Sequence, residues 1–152
     1  GTVTGVQTCA LPIFSRKIDQ AFSLRERVEF IAYDRRGNSR QLGFSCYTDL
    51  LYRPMLKPLS LSARWQYFET EGADATVYAY ENDVLYSFSI PGLRGKGMRF
   101  YLLAGYDLGK RTSFWFRLAT TVYSGLDHIG EGEDQIRGNR RSDYHFQLRY
   151  IF

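Results

Sequence analysis

From Phe22 to the end of the chain, large apolar residues recur at every second position. Leu24, Val28, Phe30 and Ala32 alternate with Arg25, Arg27 and Glu29. Leu42, Phe44, Cys46, Thr48, Leu50 and Tyr52 alternate with Ser45, Tyr47 and Asp49, and Leu59, Leu61, Ala63, Trp65 and Tyr67 alternate with Arg64 and Gln66. Tyr78, Tyr80, Val84, Tyr86, Phe88 and Ile90 hold one parity opposite Glu81, Asp83, Ser87 and Ser89; Asn82 is the one misfit on the apolar side. Met98, Phe100, Leu102, Ala104, Tyr106 and Leu108 oppose Arg99, Tyr101 and Asp107. Phe114, Phe116, Leu118 and Val122 oppose Arg117 and Thr121, with Trp115 also on the polar side. Tyr144, Phe146, Leu148, Tyr150 and Phe152 close the chain opposite His145, Gln147 and Arg149. A period of two marks a strand with two unlike faces. Gly, Pro and polar clusters at residues 34–40, 54–58, 70–75, 91–97, 109–111 and 124–139 separate these runs. The pattern predicts an all-β fold, an antiparallel up-and-down meander of about seven long strands.

Strand length bears on where such a meander sits. Soluble strands run to about five or six residues, whereas a tilted membrane-crossing strand needs about 9–11. The runs here favour the second, so the expected architecture is a partial transmembrane β-barrel. Aromatic residues gather near strand ends (Tyr52, Tyr67, Tyr78, Tyr106, Tyr144, Tyr150, Phe152), as interfacial girdles do. The alternative is a soluble barrel whose apolar face turns inward around an apolar ligand. In the membrane sense the apolar face meets lipid, and Arg64, Glu81, Asp83, Arg99, Arg117, His145, Gln147 and Arg149 form a lumen-facing polar network. Both signs of charge are present, so cross-strand ion pairs are expected to hold register. With Phe152 on the periplasmic side, residues 124–139 form an extracellular loop and residues 109–111 a periplasmic turn. Counting strands upstream then makes residues 34–40 periplasmic, although they are not especially short.

Composition changes this picture little. The chain has 152 residues, a formal charge of +4, 16% aromatic and 24% charged residues, enough for one domain with a core. A mean hydropathy of -0.35 is compatible with a barrel, which needs only half of each strand to be apolar. No run approaches the roughly 18 apolar residues of a spanning helix. The positive charge is scattered Arg, not a basic block, so nucleic-acid binding by this segment is not expected.

Residues 1–13 read GTVTGVQTCALPI and carry no charge. The segment lacks the positive n-region of a signal peptide, and Pro12 breaks its short apolar stretch. VTGVQTCALPI resembles a reading-frame translation of a sequencing-library adapter. The expectation is an artefactual segment at 1–13 and a barrel segment at 14–152, in a metagenomic fragment whose first strands are missing. Cys9 goes with the artefact, which leaves Cys46 alone and without an internal disulfide.

The last strand, ending on Phe152, resembles the C-terminal signature of bacterial outer-membrane barrels. That resemblance implies closure of a barrel and recognition of Tyr144, Phe146, Leu148, Tyr150 and Phe152 by the barrel-assembly machinery. LSLSARWQYFETEG (59–72), VYAYENDVLYSFSIPG (77–92), GKGMRFYLLAGY (95–106) and residues 126–152 are similar to the C-terminal barrel of large envelope proteins carrying helix-hairpin-helix repeats, of the kind associated with DNA uptake. YAYENDVLYSFSIP is the most specific part. The resemblance implies an outer-membrane location, outer-membrane lipid and the protein's own upstream strands as partners, and no reaction. The helix-hairpin-helix portion is absent from this sequence.

Chemistry is sparse. Asp143 and His145 share a face while Ser142 points away, so no catalytic triad is expected. Asp127, Glu131, Glu133 and Asp134 are read as charge-balanced by Arg137, Arg140 and Arg141; a calcium site there is the less favoured reading. Gly95-Lys-Gly97 lacks the strand–loop–helix setting of a phosphate cradle. The expectation is a non-enzymatic protein without metal or cofactor, acting in transport or envelope interaction; a lipid-acting barrel enzyme is the remaining alternative.

Overall fold

The computed structural model describes residues 6–34, 40–129 and 136–152. The strands are β1 (Val6–Ala10), β2 (Ile13–Lys17), β3 (Phe22–Asp34), β4 (Gln41–Tyr52), β5 (Leu59–Thr70), β6 (Val77–Tyr78), β7 (Gly92–Leu93), β8 (Lys96–Leu108), β9 (Thr112–Tyr123), β10 (His128–Ile129), β11 (Ile136–Arg137) and β12 (Arg140–Tyr150). Among the described residues the one helical turn is the 3-10 turn Ala73–Ala75. The main sheet is antiparallel in the order β1-β3-β4-β5-β8-β9-β12, with β2 also beside β3. It is therefore an up-and-down meander seven strands wide, and it is open: β12 pairs only with β9.

One expected strand is absent from the sheet. Residues 78–90 alternate as a strand should, yet β5 pairs directly with β8, from Leu59↔Tyr106 to Glu69↔Lys96. The intervening chain forms a separate hairpin. Its arms pair at Val77↔Leu93 and Tyr78↔Gly92 and through one bridge, Glu81↔Ser89. The seventh place in the sheet is filled by β1 and β2, which share the outer edge of β3. Thus β1 falls within the segment expected to be foreign; a free edge accepts any extended segment.

Losing that strand reverses the sense of everything upstream. Register places the strand ends Asp34 and Gln41, Thr70 and Lys96, and Tyr123 and Arg140 at one end of the sheet. The connections 53–58 and 109–111 lie at the other end, with Phe152. Asp34 and Arg40, expected at the short-turn end, therefore sit at the end opposite Phe152; residues 35–39 between them lie outside the described residues. Once the hairpin is not counted as a crossing, the long connections 71–95 and 124–139 share one end and the tight turn 109–111 lies at the other, while the β3–β4 and β4–β5 connections, at opposite ends, are equally long.

The sheet is polar where it is buried. Arg64, Gln66, Arg99 and Arg117 are 5%, 0%, 4% and 1% exposed, whereas Trp65, Phe100, Leu102 and Phe116 on the opposite face are 40%, 44%, 42% and 43% exposed. The hairpin covers the polar face. A small apolar core of Ile31, Phe68, Ala75, Val77 and Leu93, with Tyr123 against it, anchors its base at the long-connection end. Each such burial contributes about 1.5–3 kcal/mol for the larger side chains. Phe68 meets Tyr123 edge-on at 5.8 Å. Gly97 is required there: a Cβ would lie 2.4 Å from the Val122 carbonyl oxygen and 2.9 Å from the Phe68 ring.

Candidate functional site

The hairpin folds back at residues 83–87. The Val84 amide donates to Asp83 Oδ1 at 2.7 Å, the Ser87 amide donates to the Val84 carbonyl at 3.1 Å, and Tyr86 takes a φ of 64°. That left-handed conformation is uncommon for a residue with a side chain and marks a tight turn. The arms then present two faces. Val77, Ala79, Glu81 and Leu93 are buried against the sheet, while Tyr78, Tyr80, Phe88 and Ile90 are exposed.

Beyond the apolar anchor the contact becomes ionic. Arg99 donates to Glu81 from Nε at 2.6 Å and from Nη2 at 2.9 Å, a bidentate fork. Arg117 donates from Nη2 to the same carboxylate and from Nε to the Asn82 carbonyl at 3.2 Å. Glu81 is wholly buried, so two guanidinium groups offset one desolvated carboxylate. Thr121 Oγ1 accepts from Arg99 Nη1 at 2.6 Å and fixes that fork. Beside it Arg64 grips Asp49 through two bonds, Nε at 2.5 Å and Nη2 at 2.8 Å, and donates from Nη1 to the Tyr80 carbonyl at 2.8 Å. Its guanidinium stacks 3.7 Å above the Tyr47 ring, and Tyr101 lies between Arg64 and Arg117 at 5.4 and 5.5 Å. Deeper along the hairpin, Asp83 meets His145 Nδ1 at 2.7 Å and Arg117 Nε at 3.9 Å. Asn82 Nδ2 donates to Ser62 Oγ at 3.0 Å.

Six of the eight polar residues expected in one network are therefore brought together: Arg64, Glu81, Asp83, Arg99, Arg117 and His145. Glu81 and Asp83 arrive from the hairpin, not from a strand of the sheet. Gln147 and Arg149 stay on the same face of β12 but outside the cluster. Arg149 donates from Nη2 to Ser113 Oγ at 3.1 Å and stacks on Trp115 at 5.3 Å, which accounts for a tryptophan on the polar parity. Gln147 Oε1 and Arg149 Nε are buried with no hydrogen-bond partner among the described residues.

Asp49, Asn82, Tyr101 and Thr121 complete the cluster without having been singled out for it. The parity of Asp49 and Tyr101 matched Arg64, and Asn82 was conspicuous as a misfit. Tyr144, Phe146, Leu148 and Tyr150 are exposed along the open edge strand, and Phe152 packs on Tyr150 at 5.1 Å. Ser142 bonds Thr120 on the apolar face at 3.0 Å while His145 bonds Asp83 on the other; no nucleophile–base pair forms. Of the loop carboxylates, Glu131, Glu133 and Asp134 lie outside the described residues. Among those described, no cluster of three metal-ligating side chains occurs.

Compared with known proteins, this chain matches no family model, no curated protein and no solved structure.

Proposed function

We propose that this chain is part of a Gram-negative outer-membrane β-barrel, non-enzymatic, with a role in transport or envelope interaction. The observation that carries this reading is the inverted sheet. Its Arg, Gln, Ser and carboxylate face is buried and internally paired, and its Leu, Phe and Trp face is turned outward. A soluble barrel requires the reverse. The outward band also has a suitable height. Residues 98–108 rise about 33 Å along the strand at about 3.3 Å each; a tilt of about 40° reduces this to about 25 Å, the height of the apolar band in outer-membrane barrels. Above the band the outward positions become charged, with Lys96 and Glu69 paired at 3.3 Å. The likeness of several segments to helix-hairpin-helix envelope proteins supports the same location. In this reading, strands upstream of the chain complete the barrel, outer-membrane lipid covers the outward face, and the assembly machinery reads the strand ending at Phe152.

The test is partitioning. The full-length parent, expressed with a signal sequence, is expected in the outer-membrane fraction, with heat-modifiable migration in detergent. Recovery as a water-soluble monomer would overturn the proposal.

A further inference from the structure

We propose that Arg99 and Arg117 form a binding site for a small oxyanion-bearing solute, a carboxylate or a phosphate, and that Glu81 of the hairpin occupies this site as a built-in stand-in; the proposal rests on the barrel reading above. The two guanidinium groups converge on one carboxylate, with Arg99 in the bidentate geometry that suits a planar carboxylate or two phosphate oxygens. The neighbouring pair shows what a purely structural solution looks like. Arg64 is neutralised within the sheet by Asp49, through two bonds at 2.5 and 2.8 Å. Arg99 and Arg117 have no such partner. Among the described residues, the nearest sheet carboxylate to Arg99 is Asp143 at 3.9 Å, and the carboxylates paired with Arg117 are Glu81 and Asp83, both from the hairpin. Removing the hairpin therefore bares two adjacent cations on the polar face.

The hairpin is held to the sheet by side chains, not by a shared ladder. The described contacts are the apolar anchor at its base and side-chain bonds such as Arg64 to Tyr80, Arg117 to Asn82 and Asn82 to Ser62. A route to the pair exists as well. A cleft of about 420 Å³ opens beside the hairpin, lined by Ser89, Arg99, Arg117, Thr121, Arg141 and His145 among others. Both guanidinium groups line this cleft, so a solute entering it can compete with Glu81 for the same donors.

The experiment is single-channel recording of the full-length protein in planar lipid bilayers under a KCl gradient. A variant with residues 79–91 replaced by a short Gly-Ser linker is expected to conduct several-fold more than the wild type and to prefer anions. Inorganic phosphate and acetate, added separately, are expected to reduce that current; the more potent of the two identifies the solute class. Arg99→Gln with Arg117→Gln in the same background is expected to abolish both the preference and the block. Heat-modifiable migration verifies folding, and Glu81→Gln with Asp83→Asn carries the same expectations should the linker variant fail to fold. Unchanged conductance, or selectivity that survives loss of both arginines, overturns the site and leaves the pair as a strut for the hairpin. A parent that never inserts into bilayers instead overturns the barrel reading itself.

Discussion

Two stretches of this chain have nearly the same sequence pattern and opposite fates. Residues 78–90 and residues 98–108 both alternate large apolar with polar side chains. The second became most of β8, paired with β5 as far as Tyr106 on one side and with β9 throughout on the other. The first became a hairpin whose arms share a single bridge beyond their base. The difference lies in the polar parity. In β8 it presents Arg99 and Tyr101; in the hairpin it presents Glu81 and Asp83, and Asn82 intrudes on the apolar side. As a strand, residues 78–90 would turn Asn82 outward with the apolar set and would separate β5 from β8. Folded inward, the same residues give Arg99 and Arg117 their counter-charge and Asn82 a bond to Ser62. Alternation thus defines two faces, while charge complementarity decides whether a segment joins the ladder or lies across it.

The largest way to break this contrast is to remove the charge that draws the hairpin inward. Glu81→Ala leaves two buried guanidinium groups without their shared partner, and breaking a buried pair from one side costs about 3–5 kcal/mol. Under the barrel reading, urea unfolding in lipid vesicles is expected to show that loss, with proteolysis of residues 79–91 preceding global unfolding. A loss below about 1 kcal/mol, the range of an exposed pair, would mean that the apolar anchor alone holds the hairpin.

Much of this was legible in the residues. The period of two delivered β3, β4, β5, β8, β9 and β12 and the two faces of each, because one parity must be buried and the other must not. The six clustered polar residues followed from that parity. What the pattern could not supply was the third dimension. Glu81 and Asp83 were assigned to the right face for the wrong reason, since a strand and a hairpin lying over the sheet leave the same alternation. The signal was Asn82, followed by Pro91, whose missing N–H weakens any ladder there. The same error carried into orientation: one false crossing reversed the end of the sheet assigned to Asp34 and Arg40.

A second comparison separates the apolar positions of the two stretches. Leu102 on β8 and Phe88 on the hairpin occupy equivalent parities, and both are exposed. Under the barrel reading Leu102 faces lipid near mid-depth, whereas Phe88 faces the barrel interior. Leu102→Arg is expected to cost about 2–4 kcal/mol in vesicles. Phe88→Arg is expected to stay within about 0.5 kcal/mol, as surface changes do. Equal effects would show that the two faces share one environment.

The smallest expected effect is a pH dependence confined to the hairpin. Burial pulls the Asp83 carboxyl upward, but hydrogen bonds from His145 and the Val84 amide and the charge of Arg117 outweigh it and hold the group below its ordinary range. A carboxyl depressed in the folded state adds stability that is present above its unfolded pKa of about 3.9 and is lost as pH falls through the lower folded value. The turn at residues 83–87 is therefore expected to stay closed from neutral pH down to about pH 4 and to loosen only below it. β8, paired with β5 and β9, is the internal reference. Cleavage by an acid-tolerant protease at residues 84–88, followed as pH is lowered, reads the difference directly. Asp83→Asn is expected to remove the pH step, and a step that survives in this variant would place its origin outside Asp83.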